Sequence, residues 1–238
     1  MIRAVIFDFN GVIVDDEQVH FELFRDVLAQ EGVSLTERAY HERFLGYDDR
    51  GCFEAALAEA GQSFDRPRID DLIARKAERY VIVAENGLRF FPGARQSLTA
   101  LADRWPLAIC SGALRAEIEF ALKRLECRDR VSAVVSAEDT TRCKPDPQGY
   151  LLTLDALRSL PGAALGDLLA PNCLVIEDSL AGVASAKSAG MWAVGVAHTY
   201  QPDELKTAGA DAVLTGLGPL STSWVERHFG PLRSAAHE

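Results

Sequence analysis

The spacing of apolar residues changes along the chain, and each change marks a different kind of structure. Ala4 to Phe7 is a continuous apolar run, the pattern of a strand buried on both faces of a parallel sheet. It stops on Asp8, and Asn10-Gly11 then allows a sharp turn. From 16 to 89 the spacing is helical. Val19, Leu23 and Val27, with Phe24 and Leu28, make one apolar face closed by Gly32, and Phe53 and Leu57, with Ala56 and Ala60, make another closed by Gly61. Pro67 reads as a first-turn proline opening a longer helix, in which Ile69, Leu72, Ile73, Ala77, Tyr80 and Val81 recur at helical spacing. Nothing in 16–89 reads as a strand.

Beyond Pro92-Gly93 the pattern alternates. Helices are expected over 94–103, 113–125, 147–158 and 180–189, the last with Ser179 as N-cap and Gly190 just past its end. Between them fall short apolar strands at Leu107–Cys110, 132–136, 173–176, Trp192–Val196 and 211–214. Strands separated by helix-length segments predict an α/β fold, a doubly wound, Rossmann-like parallel sheet. The expected organisation is a discontinuous core, 1–15 and 90–238, with an α-helical domain, 16–89, inserted directly after the first strand. An amphipathic segment at 220–229 and a frayed tail complete the chain.

Composition narrows the function without naming it. The 238 residues are 48% hydrophobic and 25% charged, an ordinary globular profile. No apolar run approaches the ~20 residues of a membrane span. The first residues enter a strand with no basic, cleavable leader, so a cytoplasmic protein that does not engage membranes is expected. The net charge of −10 argues against a nucleic-acid partner, which calls for a Lys/Arg excess. A small phosphorylated metabolite remains compatible, since a metal and one lysine neutralise it locally. Cys52, Cys110, Cys127, Cys143 and Cys173 are odd in number, lack CxxC spacing and lie mostly in or beside apolar segments, as buried thiols do.

The chemistry collects at strand ends. Asp8 and Asn10, Ser111-Gly112, Lys144-Pro145 and Glu177-Asp178 each follow a predicted strand or lie in the loop after it. In a parallel sheet all carboxyl ends share one edge, where ligands bind. Together these groups suit phosphoryl transfer. Asp8 can serve as nucleophile. Asp8, the backbone carbonyl of Asn10 and Asp178 offer oxygen ligands to Mg²⁺. Ser111 and the neighbouring N–H groups precede a helix, where phosphate binds, and Lys144 adds a fixed positive charge.

In this order the four elements resemble the haloacid dehalogenase-like hydrolase superfamily, in its branch of β-phosphoglucomutase-like phosphatases. Asp8-Phe-Asn-Gly-Val is similar to the first motif, Cys-Ser111-Gly to the second, Lys144-Pro-Asp-Pro to the third and Ile-Glu177-Asp178-Ser-Leu-Ala-Gly to the fourth. The resemblance spans essentially the whole chain. It implies a Mg²⁺-dependent hydrolase, expected as a monomer, that passes a phosphoryl group to Asp8 and then to water. It also implies a helical cap that selects substrate. Catalytic roles fall on Asp8, Asn10 and Lys144, phosphate or substrate contacts on Ser111, Gly112, Lys144 and His20, and metal contacts on Asp8, Asn10, Asp178 and Glu177.

One position departs from that pattern. The resemblance places an acid/base aspartate where this chain has Asn10, whose amide neither gives nor takes the required proton; such a loss costs ~10²–10⁴-fold in rate. The readings are a substrate with a good leaving group, a substitute such as His20, or an impaired phospholigand-binding protein. Mutase activity is a further alternative, although Leu114 stands where the mutase carries a lysine and Arg115 is one residue out of register. His20, alone on an amphipathic helix, has a structural reading too. Lys76 matches a cap lysine but lies in the charged run Arg75-Lys76, which reads as a solvated face. Asp15 and Asp16 read as hinge or helix N-terminal acids, Glu177 as an orienting group or a water-mediated metal contact, and Trp105, Trp192 and Trp224 as packing residues.

Overall fold

The computed structural model describes residues 1–161 and 165–230, so the expected frayed tail lies outside the described residues. Strand β1 (Ala4–Phe7) leads into four helices, α1 (Glu17–Gln30), α2 (Glu37–Arg43), α3 (Asp49–Glu59) and α4 (Arg66–Gly87). Then come α5 (Ala94–Ala102), β2 (Leu107–Cys110), α6 (Arg115–Arg124), β3 (Val131–Val135), α7 (Gln148–Arg158) and β4 (Cys173–Glu177). The chain continues through α8 (Leu180–Ser188), β5 (Trp192–Val196), α9 (Pro202–Thr207), β6 (Ala212–Leu214) and α10 (Thr222–Phe229).

The strands form one parallel sheet in the order β3-β2-β1-β4-β5-β6. β1 is therefore central, and the order reverses beside it, which opens a crevice at the carboxyl ends of β1 and its neighbours. Phe7 lies opposite both Ile109 and Ile176, so Asp8 emerges level with Glu177, and Ser111 follows one residue further along beyond Cys110. Alternation along the strands divides the core. Val5, Phe7, Leu107, Ile109 and Leu174 face one layer, against Leu98, Ile118 and Val225. Ala4, Ile6, Ala108 and Val175 face the other, against Tyr150, Leu154 and Val183. Burial of both faces is why these strands read as continuous apolar runs.

The helices between β1 and α5 have their own apolar cluster, including Phe24, Leu28, Phe53, Leu57, Ile69 and Leu72. Glycine ends α1 and α3 as expected: Gly32 and Gly61 adopt φ of +75° and +68°. Two short helices, α2 and α9, were not evident from sequence; each buries a single side chain, Tyr40 and Leu205. β3 lies one residue earlier than the predicted strand, and it stops at Val135 because Ser136 leaves the ladder, its N–H and Oγ both donating to Asp139. Four of the five cysteines are buried and all are free, with Cys143 exposed. Trp105 is buried and donates to the Ile2 carbonyl, whereas Trp192 is 41% exposed. Among the described residues, no helix is long and apolar enough to cross a membrane.

Candidate active site

Asp8 sits one residue past the central strand, buried at the foot of a cleft whose far wall comes from α1, α2, α3 and the loop before α3. Lys144 Nζ bridges its Oδ1 at 2.7 Å and Glu177 Oε1 at 2.5 Å. Asp8, Glu177 and Asp178 bring carboxylate oxygens within 4.8 Å of one another. Glu177, fully buried, also accepts from Tyr150 OH at 2.9 Å and, through Oε2, from Asp178 N, Ser179 N and Ser179 Oγ, each at 3.0 Å. Its oxygens are committed to holding Lys144 and the β4–α8 turn. Asp178 accepts from Thr199 Oγ1.

Glycine permits this crowding. Gly11 has φ +75°, and a Cβ there would lie 2.1 Å from Asp178 Oδ2. At Gly182 a Cβ would lie 1.7 Å from Glu177 Oε1. The motif glycines thus leave room for carboxylates as well as for turns.

The electrostatics of this acidic group suit a cation. Burial pushes the Asp8 carboxyl up to about 7, against the pull of Lys144 and with a further push from Glu177. Burial, then the charges of Glu177 and Asp8, drives Asp178 well above the usual carboxylate range. Burial works against the Lys144 ammonium, but Asp8 and Glu177 outweigh it and hold its pKa above the ordinary value. Two buried carboxylates that resist ionisation, beside a loop with its own carbonyls, are the donor chemistry Mg²⁺ requires.

The same reasoning predicts a linked effect of pH and metal. Asp8 and Glu117, both raised by burial to about 7, and Asp178 bind protons more tightly folded than unfolded, so their charging opposes folding above the ordinary carboxylate range. His20, raised by Asp16 despite burial and Lys76, stabilises below its unfolded pKa and loses that contribution as pH rises. Asp16, lowered by His20, Asn10 and Tyr80 against burial, acts in the opposite sense only at more acid pH. Without Mg²⁺ the protein should therefore melt higher at pH 6 than at pH 8. Mg²⁺ should raise the melting temperature more at pH 8; an equal or larger rise at pH 6, by scanning fluorimetry, contradicts this site.

Asn10 is held on two sides. Its Nδ2 donates to Asp16 Oδ1 and Oδ2 at 3.0 and 3.1 Å and lies 3.1 Å from His20 Nε2, while its Oδ1 accepts from Ser111 Oγ at 3.4 Å. Asp16, 1% exposed, also accepts from Tyr80 OH at 2.6 Å and lies 3.2 Å from His20 Nε2. On the other side of the ring, Lys76 Nζ is 2.9 Å from His20 Nδ1 and 2.6 Å from Asp49 Oδ1.

Several expectations change here. Lys76 is fully buried in this network instead of lying on a solvated face. Arg115 points away, its guanidinium donating to the Val134 carbonyl and to Asp139. Ser111 and Gly112 line the cleft, but α6 starts only at Arg115, and the intervening Ala113 N–H already donates to Ser111 Oγ at 3.1 Å. Asp16, Tyr80, Asp49, Tyr150 and Thr199 had no assigned site role. The Asp16/His20 and Lys76/Tyr80 pairs, each four apart on a helical face, are the signal that reveals this network.

The haloacid dehalogenase-like hydrolase family matches residues 2–190. The chain belongs to this family. As a haloacid dehalogenase-like hydrolase it is 32% identical, over 90% of its length and 94% of the relative's, to a phosphorylated carbohydrates phosphatase of Thermotoga maritima. It is 29% identical to the β-phosphoglucomutase of Bacillus subtilis, over 98% of this chain and 97% of that one. The crystal structure of a Clostridium difficile β-phosphoglucomutase shares the fold, with a TM-score of 0.81 at 23% identity, covering 96% of this hydrolase and 97% of the mutase.

Proposed function

We propose that this hydrolase is a Mg²⁺-dependent phosphatase of small phosphorylated metabolites, sugar phosphates foremost. The observation that carries the reading is Asp8, buried at the cleft foot, bound to Lys144 and close to Asp178. Asp8 Oδ attacks phosphorus, the bond from phosphorus to the substrate oxygen breaks, and water then attacks the aspartyl-phosphate, releasing phosphate and the Asp8 carboxylate. Lys144 steadies Asp8 and faces the transferring group, with Glu177 fixing the lysine. Asp8, Asp178 and the Asn10 carbonyl would hold the metal, which when bound supplies charge neutralisation at the phosphoryl oxygens.

The leaving oxygen needs a proton that the Asn10 amide lacks. His20 lines the cleft beside that amide, oriented by Asp16 and Lys76, and takes the role: its ring gives a proton to the leaving oxygen and receives one from the attacking water. Residues 16–89 act as a lid. The two chain crossings at its base are tied together, Asp15 N donating to the Arg89 carbonyl at 3.0 Å and Arg89 pairing with Asp15 at 3.2 Å, which suits a hinge.

Hydrolysis is favoured over mutase chemistry by the wall opposite Asp8. A mutase must hold a second phosphate, yet among the described residues the helical segment lines the cleft with Glu17, Asp48 and Asp49 and, His20 apart, no basic side chain. With Mg²⁺, the chain should release free phosphate from 4-nitrophenyl phosphate and from hexose 6-phosphates. Isomer formation without free phosphate contradicts the phosphatase reading in favour of the mutase, and binding without turnover in favour of a phospholigand receptor.

A further inference from the structure

The phosphatase reading does not specify the part of the substrate remote from phosphorus, but the charges facing it are informative. At the foot of the cleft Lys144 pairs with Asp8 and Glu177, and Arg142 on the rim is paired with Asp146 at 3.1 Å. On the opposite wall Glu17 and Asp48 form no ion pair among the described residues. Asp49, 9% exposed, pairs through Oδ1 with Lys76, while its buried Oδ2 has no hydrogen-bond partner. Tyr40 and Tyr47 stand among these acids on the same wall, while the Phe24 ring already carries Lys76 Nζ at 4.5 Å from its centre. Carboxylates interleaved with aromatic rings are the surroundings an ammonium group prefers.

The fold does not require charge at two of these positions. Glu17 Oε1 accepts from Tyr40 OH at 2.5 Å, which a glutamine oxygen does as well. Asp48 caps α3, accepting from Gly51 N at 2.7 Å, and asparagine caps a helix equally well. The two negative charges therefore exceed what local structure demands, and both face the cleft.

We propose that the cleft selects monophosphates whose remote part carries an ammonium group, amino-sugar phosphates being the representative class, over those carrying a hydroxyl, a carboxylate or a second phosphate there. This rests on the phosphatase reading of the same site.

Matched pairs test it with the full chain and Mg²⁺: glucosamine 6-phosphate against glucose 6-phosphate, and phosphoethanolamine against ethylene glycol monophosphate. The amine member of at least one pair should have the higher kcat/KM by about tenfold, the size of two partly screened ion pairs. Glu17→Gln and Asp48→Asn, each keeping its local hydrogen bond, should each lower that ratio by roughly threefold, and ~0.5 M salt should lower it further. Ratios of one or less in both pairs, a ratio indifferent to both substitutions, or a better kcat/KM for fructose 1,6-bisphosphate would overturn the proposal. Turnover of 4-nitrophenyl phosphate, which has no amine, reports on the phosphatase reading separately. Should that be absent, the ratio of calorimetric affinities for the same pairs decides the selectivity by the same criteria.

Discussion

Asp8→Asn should remove phosphate release from every substrate the protein turns over, by at least about 10⁴-fold, because in the proposed reaction no other group replaces Asp8 as nucleophile. The substitution is nearly isosteric and leaves Lys144 its contact with Glu177 at 2.5 Å. It also replaces the carboxyl that burial raises to about 7 with an uncharged amide. The Mg²⁺-free variant should accordingly melt no lower than the parent, so loss of activity cannot be ascribed to unfolding. Phosphate release alongside the melting curve checks both halves. Activity within tenfold of the parent would remove Asp8 from the reaction.

His20→Gln should divide substrates by their leaving groups. Alkyl phosphates, whose alkoxides need a proton, should lose ~10²–10⁴-fold in kcat, while 4-nitrophenyl phosphate, whose phenolate leaves unaided, should change by only a few fold in the first step. Loss of positioning alone would depress both alike, and that outcome would return His20 to a structural role. Asn10→Asp is not a simple repair. It sets a second carboxylate about 3 Å from the buried Asp16 in place of the amide that now donates to both its oxygens. That variant should melt several degrees below the parent, and adding Asp16→Asn should recover most of the loss, because one amide again faces one carboxylate.

Much of this site was readable because a parallel sheet converts strand order into proximity. Once β1, β2 and β4 were recognised as strands, Asp8, Ser111, Glu177 and Asp178 had to meet on one edge, and the Pro-flanked Lys144 reaches them from the loop after β3. What escaped the sequence depends on contacts that spacing does not encode. Arg75 and Lys76 are adjacent and alike in charge, yet Arg75 pairs with Glu31 near solvent and Lys76 is enclosed by His20 and Asp49, 56 and 27 residues away. Helix α2 lacks an apolar stripe because it buries only Tyr40, with Ala39 half-buried beside it. The hydroxyl of Ser111 read as a phosphate donor, but in the folded chain it bridges Ala113 N–H and Asn10.

Asn10 is explained by the same contacts. Taken alone it is a missing acid; in place it is the hydrogen-bond complement of Asp16, in a network that also orients His20. The carboxylate in this corner of the cleft belongs to position 16, and the proton carrier in the proposed reaction is the imidazole beside it.

The central claim is that a phosphoryl group passes through Asp8. Mixing the Mg²⁺-loaded protein with a ³²P-labelled hexose 6-phosphate, quenching in acid within milliseconds and mapping the labelled peptide tests it directly. The account predicts transient label on the peptide containing Asp8, labile in base and absent from Asp8→Asn. Steady phosphate release from the parent with no label on that peptide at any time would contradict it.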